Sequence, residues 1–418
     1  MAYFIWKSYK PKFDPAAIFK RLCGYPDLFF LDSGLANRES ARYSFLGFEP
    51  FLKIRLKRSH DPFRELAKAS REYSLEAHPG APPFIGGAVG YMGYDSGGIF
   101  NFYNTVIALD NFTRRILICC TGFPEKNASL AKILAESNLD KAEKIIFATN
   151  VTRENKKQAP QASQLESNFR KADYLAAVKK AKEYIRQGDI YQVNLSQRFF
   201  ARTNLSAAEI YLRLRKSSPA PFAAYFDAGD HQILSSSPER FLKLSQGKVS
   251  TVPMKGTRPR HLDAKKDRAL KLELLKSAKD KAELTMIVDL ERNDLGRVCD
   301  YNSIKVSKLR QLEAYRTVYQ TTATIEGRLF RDCDRFDLLR ACFPGGSITG
   351  CPKIRAMEII KELEPNKRLA YTGVLGYLSF CGRMDFNILI RTILNRGNNL
   401  YFWAGGGIVA DSKPLEEY

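Results

Sequence analysis

Strand-sized runs recur along the whole chain, and only a few helical stretches interrupt them. Residues 28–33, 42–47 and 115–120 read as strands in the first part. Residues 190–200, 232–236, 240–244, 249–254, 315–329, 373–380, 386–394 and 399–403 do so in the second. Along 190–200, Gln192, Asn194 and Ser196 share one face, and Tyr191, Val193 and Leu195 share the other. The segment 82–95 is dense in glycine, which lets strands pack closely or bulge. Helical spacing appears at 128–147, at 173–188, where Asp173 is the expected cap and Gly188 the stop, and over one long stretch from 263 to 290. Many antiparallel strands with interspersed helices predict an α+β fold. The polar stretch 152–167 is the best candidate linker, separating an N-terminal region, 1–150, from a larger region, 168–418.

One run stands apart. From Phe343 the chain reads Phe-Pro-Gly-Gly-Ser-Ile-Thr-Gly-Cys-Pro-Lys-Ile-Arg-Ala-Met-Glu-Ile-Ile-Lys-Glu-Leu. It predicts a glycine-rich loop feeding a helix, with Pro352 at the first helical position and Ile354, Met357, Ile360 and Leu363 on one face. Gly345 and Gly350 have the spacing of a nucleotide P-loop. Cys351 and Pro352 nevertheless stand where Lys and Ser/Thr are required, so a P-loop is excluded. A carboxylate-binding loop and a loop that merely turns the chain both remain open.

Composition narrows the class. With 418 residues, 44% of them hydrophobic, the chain can build a substantial core. No run approaches the ~18 apolar residues of a membrane span. The first residues lack a signal-peptide layout. Eight scattered cysteines without a C-x-x-C pair, and four histidines out of ligand spacing, predict a reducing cytoplasm and no zinc site. The net charge of +21 is mixed with acids along the helices. That pattern predicts a solvated face and no nucleic-acid binding, and a positive field equally favours a small polyanion.

Three constellations could carry chemistry. Glu239, after Pro238 in Ser-Ser-Ser-Pro-Glu-Arg-Phe, is placed as a general acid or as an exposed turn residue. Lys255, in Pro-Met-Lys-Gly-Thr-Arg-Pro-Arg, is placed as a nucleophile or base, or as part of a basic turn. Asp280, Glu283 and Glu291 follow one helix. Their oxygens suit Mg²⁺, or they form a solvated face.

Taken in order, these stretches resemble the chorismate-utilising enzymes, a family that includes anthranilate, aminodeoxychorismate, isochorismate and salicylate synthases. The resemblance runs from Phe30-Leu31-Asp32-Ser33 and Arg42-Tyr43-Ser44-Phe45-Leu46-Gly47 through Ser237-Pro238-Glu239 and Gly256-Thr257-Arg258. It continues through Asp289-Leu290-Glu291-Arg292-Asn293-Asp294 and Pro344 to Gly350, and ends at Gly405-Gly406-Gly407-Ile408-Val409. It implies a β-sandwich core of antiparallel sheets flanked by helices. It implies Glu239 as the acid that protonates the departing 4-hydroxyl, and Glu283 and Glu417 as ligands of Mg²⁺. Tyr371 and Arg391, helped by the backbone of Gly405 and Gly406, would hold a substrate carboxylate. Thr257, Gly346 and Thr349 would line the same cavity.

Two positions divide the family. Gln192 stands where isochorismate and salicylate synthases carry a lysine base, which disfavours water addition. Lys255 is similar to the lysine of the aminodeoxychorismate branch, where anthranilate synthases usually have alanine. The resemblance therefore implies amination of chorismate to 4-amino-4-deoxychorismate, on the route to para-aminobenzoate and folate. The ammonia would come from a separate glutamine amidotransferase subunit or from free ammonium, because these residues hold no Gly-x-Cys-x-Gly nucleophile. There are departures. Gln320 replaces the usual histidine, Cys351 replaces an alanine, and the family pattern leads one to expect further acids and a lysine-bearing helix beyond Tyr418. Residues 31–33 resemble the tryptophan-binding segment of anthranilate synthases.

Overall fold

The computed structural model describes residues 3–35, 42–58, 60–148 and 161–418. Among them, two large antiparallel sheets form a sandwich. The first has 12 strands. Its order is Phe4–Tyr9, Arg115–Thr121, Thr105–Asp110, Tyr43–Gly47, Phe29–Asp32, Phe222–Asp227, Gln232–Ser237, Thr392–Arg396, Asn399–Ile408, Gln192–Arg202 and Gly350–Cys351, with Glu166–Ser167 pairing beside Gln192–Arg202. The second has 10 strands. It runs Met254–Pro259, Val318–Arg328, Lys248–Val252, Arg240–Ser245, Met384–Ile388, Val374–Ser379, Gly87–Met92, Gly98–Tyr103 and Leu52–Leu56, with Lys305–Ala314 also pairing to Val318–Arg328. Each sheet takes strands from both sides of residue 150.

Strand alternation explains why helices must cover the outside. In Thr105–Asp110, Val106 and Ala108 face the interior between the sheets, while Ile107 and Leu109 face outward. In Arg115–Thr121, Leu117 and Cys119 point inward, and Ile118 and Cys120 outward. Both faces are apolar, so both must be buried. The helix Ala128–Phe147 covers the outer face with Ala131, Ala135, Leu139, Ala142 and Ile146. A second outer core, around Leu242, Leu378 and Phe386, is covered by helices that include Lys171–Arg186, Ala278–Gly296, Arg335–Cys342 and Lys353–Leu363. No helix among the described residues is long and apolar enough to cross a membrane.

Several local expectations need correction. The long helix divides at Ser277 into Ala264–Lys276 and Ala278–Gly296, because the Ser277 hydroxyl accepts from the Asp280 N–H at 3.1 Å and starts a new helix. Arg170, not Asp173, occupies the cap of Lys171–Arg186. Asp173 instead sits in the first turn and pairs with Arg170 at 2.8 Å. Pro352 is the residue before its helix, not the first inside it. The expected strand 386–394 is two strands, Met384–Ile388 and Thr392–Arg396, and Arg391 in the break adopts φ +51°. Lys305–Ala314, with its alternation broken by charges, gave no strand signal. Most of the proposed linker lies outside the described residues. Its end does not: Ala162 bridges Thr203, and Glu166–Ser167 pairs with Phe199 and Phe200.

Candidate active site

Five pieces of chain converge between the ends of the two sheets. The Pro238 interruption ends one strand at Ser237 and starts the next at Arg240, leaving Glu239 in the corner. The corner is rigid. The Ser237 hydroxyl donates to the Ile388 carbonyl at 2.6 Å, and the Ile388 N–H donates to the Glu239 carbonyl at 3.1 Å. Strand Met254–Pro259 brings Lys255 and Thr257, with a bulge at Gly256, whose φ is +72°. A Cβ at Gly256 would lie 2.8 Å from Leu274, so both backbone and packing require glycine there. The acidic helix brings Glu283. The break between Met384–Ile388 and Thr392–Arg396 brings Arg391, and Gly405, Gly406 and Gly407 present bare backbone. Together with Asn194, Gln320, Ser347, Tyr371, Trp403 and Glu417 they line a solvent-open cavity of about 580 Å³.

The electrostatics are unusual for a protein interior. Glu239 is 3% exposed, and burial pushes its carboxyl up to about 7, against the hydrogen bond from the Ser347 hydroxyl at 2.5 Å and the charges of Lys255 and Arg391. Lys255 donates to the Ser347 carbonyl at 3.2 Å. Burial depresses the pKa of its ammonium, opposed by Glu283, Glu239 and Glu291. Ser347 thus touches acid and amine at once, one through its hydroxyl and one through its carbonyl.

The acidic helix sorts its carboxylates into separate tasks. Asp280 pairs with Arg258 at 3.1 Å. Glu291 is buried behind the glycine loop and accepts from the Thr251 hydroxyl at 2.8 Å. Asp280 and Glu283 both line the cavity, but Glu283 has no cation paired to it among the described residues; burial raises its carboxyl, and Asp280 and Glu417 raise it further. Glu417 enters from the C-terminal turn Pro414–Glu417, its other oxygen held by the Ser412 hydroxyl at 2.7 Å. No group of three or more His, Cys, Asp or Glu side chains forms a ready cage among the described residues. Two carboxylates, Glu283 and Glu417, on the wall of one open cavity fit a hard cation that takes part of its shell from water or ligand.

The glycine loop contributes differently from its expected role. The N-terminus of Lys353–Leu363 faces a separate groove lined by Tyr191, Met286, Pro352 and Ile354, not the cavity. Ser347 and Ile348 are the loop's cavity-lining residues. Thr349 is buried, its hydroxyl on the carbonyls of Gly345 and Gly346 at 3.0 and 3.2 Å, so it ties the loop together. Gly346 lies behind, where a Cβ would lie 2.8 Å from Leu290. Gln192 is fully buried against Gly407, and neither end of its amide has a hydrogen-bond partner among the described residues. Lys255, Glu239, Thr257, Tyr371, Arg391, Gly405, Gly406, Glu283 and Glu417 all line the cavity.

Sequence reasoning missed Ser347, Asn194 and Trp403. Trp403 stacks on Tyr371 at 5.8 Å and 6°, fixing the phenol against the cavity wall. Ser347 lay inside the Gly-Gly-Ser-Ile-Thr run, but only the fold shows it reaching Glu239. A second cavity lies between the sheets near the N-terminal strands, lined by Asp32, Arg42, Tyr43, Tyr377 and Asn387 among others.

Residues 29–418 match the family model described as chorismate binding enzyme. The chain is 37% identical to anthranilate synthase component 1 of Acetivibrio thermocellus, over 97% of this chain and 90% of that protein. It is 36% identical to aminodeoxychorismate synthase component 1 of Escherichia coli K12, over 96% of this chain and 92% of that protein. The crystal structure of anthranilate synthase component I from Streptococcus pneumoniae TIGR4 superposes with a TM-score of 0.79 at 31% identity, covering 90% of each chain.

Proposed function

This chain belongs to the chorismate-binding enzymes, and within that family we propose that it is an aminodeoxychorismate synthase component I. Overall identity does not choose between the two synthases, since 37% and 36% are equivalent. The observation that carries the choice is Lys255, an amine in the cavity wall whose proton affinity is lowered by burial, sharing Ser347 with Glu239, whose carboxyl burial pushes up to about 7. An amine that spends more time neutral can attack carbon, and a carboxyl titrating at about 7 can give its proton to a departing hydroxyl.

In this reading, Arg391 and Tyr371 receive a carboxylate of chorismate. Arginine suits the task because its planar fork meets a carboxylate bidentately. Glu239 donates its proton to the 4-hydroxyl oxygen as that group leaves. The Lys255 amine forms a bond to C2, the ring double bond shifts, and the C4–O bond breaks. Ammonia then bonds at C4 and the C2–Nζ bond breaks, returning the lysine. The enolpyruvyl group is retained. Glu283 and Glu417 would hold Mg²⁺, which supplies charge neutralisation for a substrate carboxylate. The words "component 1" in the relatives' names support a partner that supplies ammonia from glutamine.

Incubation with chorismate, Mg²⁺ and ammonium, followed by mass identification of the product, tests this. 4-Amino-4-deoxychorismate is the expected outcome. Anthranilate would assign the chain to the other synthase, and unchanged chorismate would remove the enzymatic reading. Glutamine alone should give no turnover with the single chain, and ammonium salts at alkaline pH should restore it.

A further inference from the structure

Gln320 is 8% exposed on strand Val318–Arg328 and stands between two residues of the cavity wall. Its carbonyl oxygen accepts from Arg391 Nη2 at 3.1 Å, and its amide nitrogen donates to Thr257 Oγ1 at 3.2 Å. The orientation is forced. A guanidinium has donors only, so the oxygen must face Arg391 and the NH₂ must face Thr257. With its oxygen engaged as an acceptor, the Thr257 hydroxyl keeps its own proton free to donate into the cavity. Arg391 sits on a backbone turn at φ +51°, a conformation unusual for an L-residue, and its side chain is steered by this amide. The titratable groups acting on Arg391 are Glu239 and Tyr315.

We propose that Gln320 is the positioning residue of the carboxylate subsite, fixing Arg391 and Thr257 side by side as donors to one substrate carboxylate while adding no charge of its own. The inference rests on the reading of chorismate as the substrate, but not on which product is made. A carboxylate at this position would hold Arg391 equally well yet cancel its charge and fail to donate to Thr257. An imidazole could accept at one nitrogen and donate at the other when neutral. Once doubly protonated it would have no acceptor for Arg391.

The experiment measures chorismate affinity by titration calorimetry, and KM and kcat in parallel, for the wild type, Gln320→Leu, Gln320→Glu and Gln320→His. Thermal unfolding of each variant checks the fold. Gln320→Leu should weaken binding about 10- to 100-fold, the range for hydrogen bonds to a charged group, with the loss in KM rather than kcat. Gln320→Glu should weaken it at least as much. Gln320→His should approach wild-type affinity at about pH 8 and lose it toward about pH 5.5. The variant-to-wild-type ratio at each pH cancels the titrations of Glu239, Lys255, Glu283, Glu417 and Tyr315, which both proteins share. Leucine binding within about twofold of wild type, or a histidine ratio flat with pH, would overturn the proposal. A wild type that binds chorismate but makes anthranilate removes the aminodeoxychorismate reading and leaves this one standing. A wild type that does not bind chorismate overturns both.

Discussion

Two clusters of buried charge lie on either side of the glycine loop, and they are built on opposite principles. Beneath the loop, Arg368 is 1% exposed and uses all its donors. They reach both oxygens of Glu364 at 2.7 and 2.9 Å, the carbonyls of Ile348 and Asn194 at 3.0 and 2.7 Å, and the Thr372 hydroxyl at 3.3 Å. Glu364 in turn accepts from the Ser196 N–H and hydroxyl, each at 2.8 Å. Above the loop, Lys255 has a single hydrogen bond to a carbonyl, and Glu283 has neither hydrogen bond nor ion pair among the described residues. The first cluster is closed and holds a loop in place. The second is left open, and an open cluster of buried charge is where a charged ligand has something to contribute. On the proposed reading, the difference separates the ions that serve the fold from those that serve the chemistry.

Breaking the closed cluster should have the largest effect. Arg368→Met leaves Glu364 buried without its cation and should lower stability by about 3–5 kcal/mol. Chemical denaturation would measure this, and an unchanged midpoint would make the two clusters equivalent. Glu283→Gln should do the reverse, leaving unfolding almost unchanged while reducing turnover on the order of 1000-fold, about 4 kcal/mol of transition-state stabilisation. A Mg²⁺ titration that gives wild-type activity in this variant would remove Glu283 from the metal site. Lys255→Ala should slow aminodeoxychorismate formation about 100-fold, with chorismate binding largely kept and an anthranilate-type intermediate appearing. Mass spectrometry of the wild type with chorismate and no ammonia should find an adduct on the Lys255 peptide. Full synthesis in the variant, with no adduct, reduces Lys255 to an electrostatic role.

The smallest effect is a slope. Glu239 acts while protonated, and its proton is lost as pH rises through about 7. The rate should therefore fall up to about tenfold per pH unit above that point. In Glu239→Gln that alkaline limb should vanish from the residual activity. A limb that persists belongs to another group.

The closed cluster was hidden from the sequence, and the open one was partly visible. Glu239, Lys255 and Glu283 announce themselves through Pro238, Gly256 and helical spacing, all of which are local. Arg368 and Glu364 fall in a polar stretch after a helix, and nothing local says that 194, 348 and 364 meet there. Arg391 was legible as a residue but not as a conformation, because 386–394 reads as one strand until the φ of +51° divides it. The α+β class followed from strand-sized runs such as 28–33 and 115–120, and the sandwich from the resemblance to the chorismate-utilising family. The strand order did not, since pairing across hundreds of residues leaves no periodic trace in either partner.

That strand order has a consequence for how the molecule comes into being. The last hairpin, Thr392–Arg396 and Asn399–Ile408, does not lie at an edge. It is inserted between Gln232–Ser237 and Gln192–Arg202, in the interior of the first sheet. During synthesis the two flanking strands must wait, each with an unpaired edge, until residues 392–408 have left the ribosome. Such long-range closure is slow, and exposed edges invite pairing with other chains. The newborn polypeptide therefore passes through a stage with a gap in its sheet, and a message truncated before residue 392 would leave that gap permanently open.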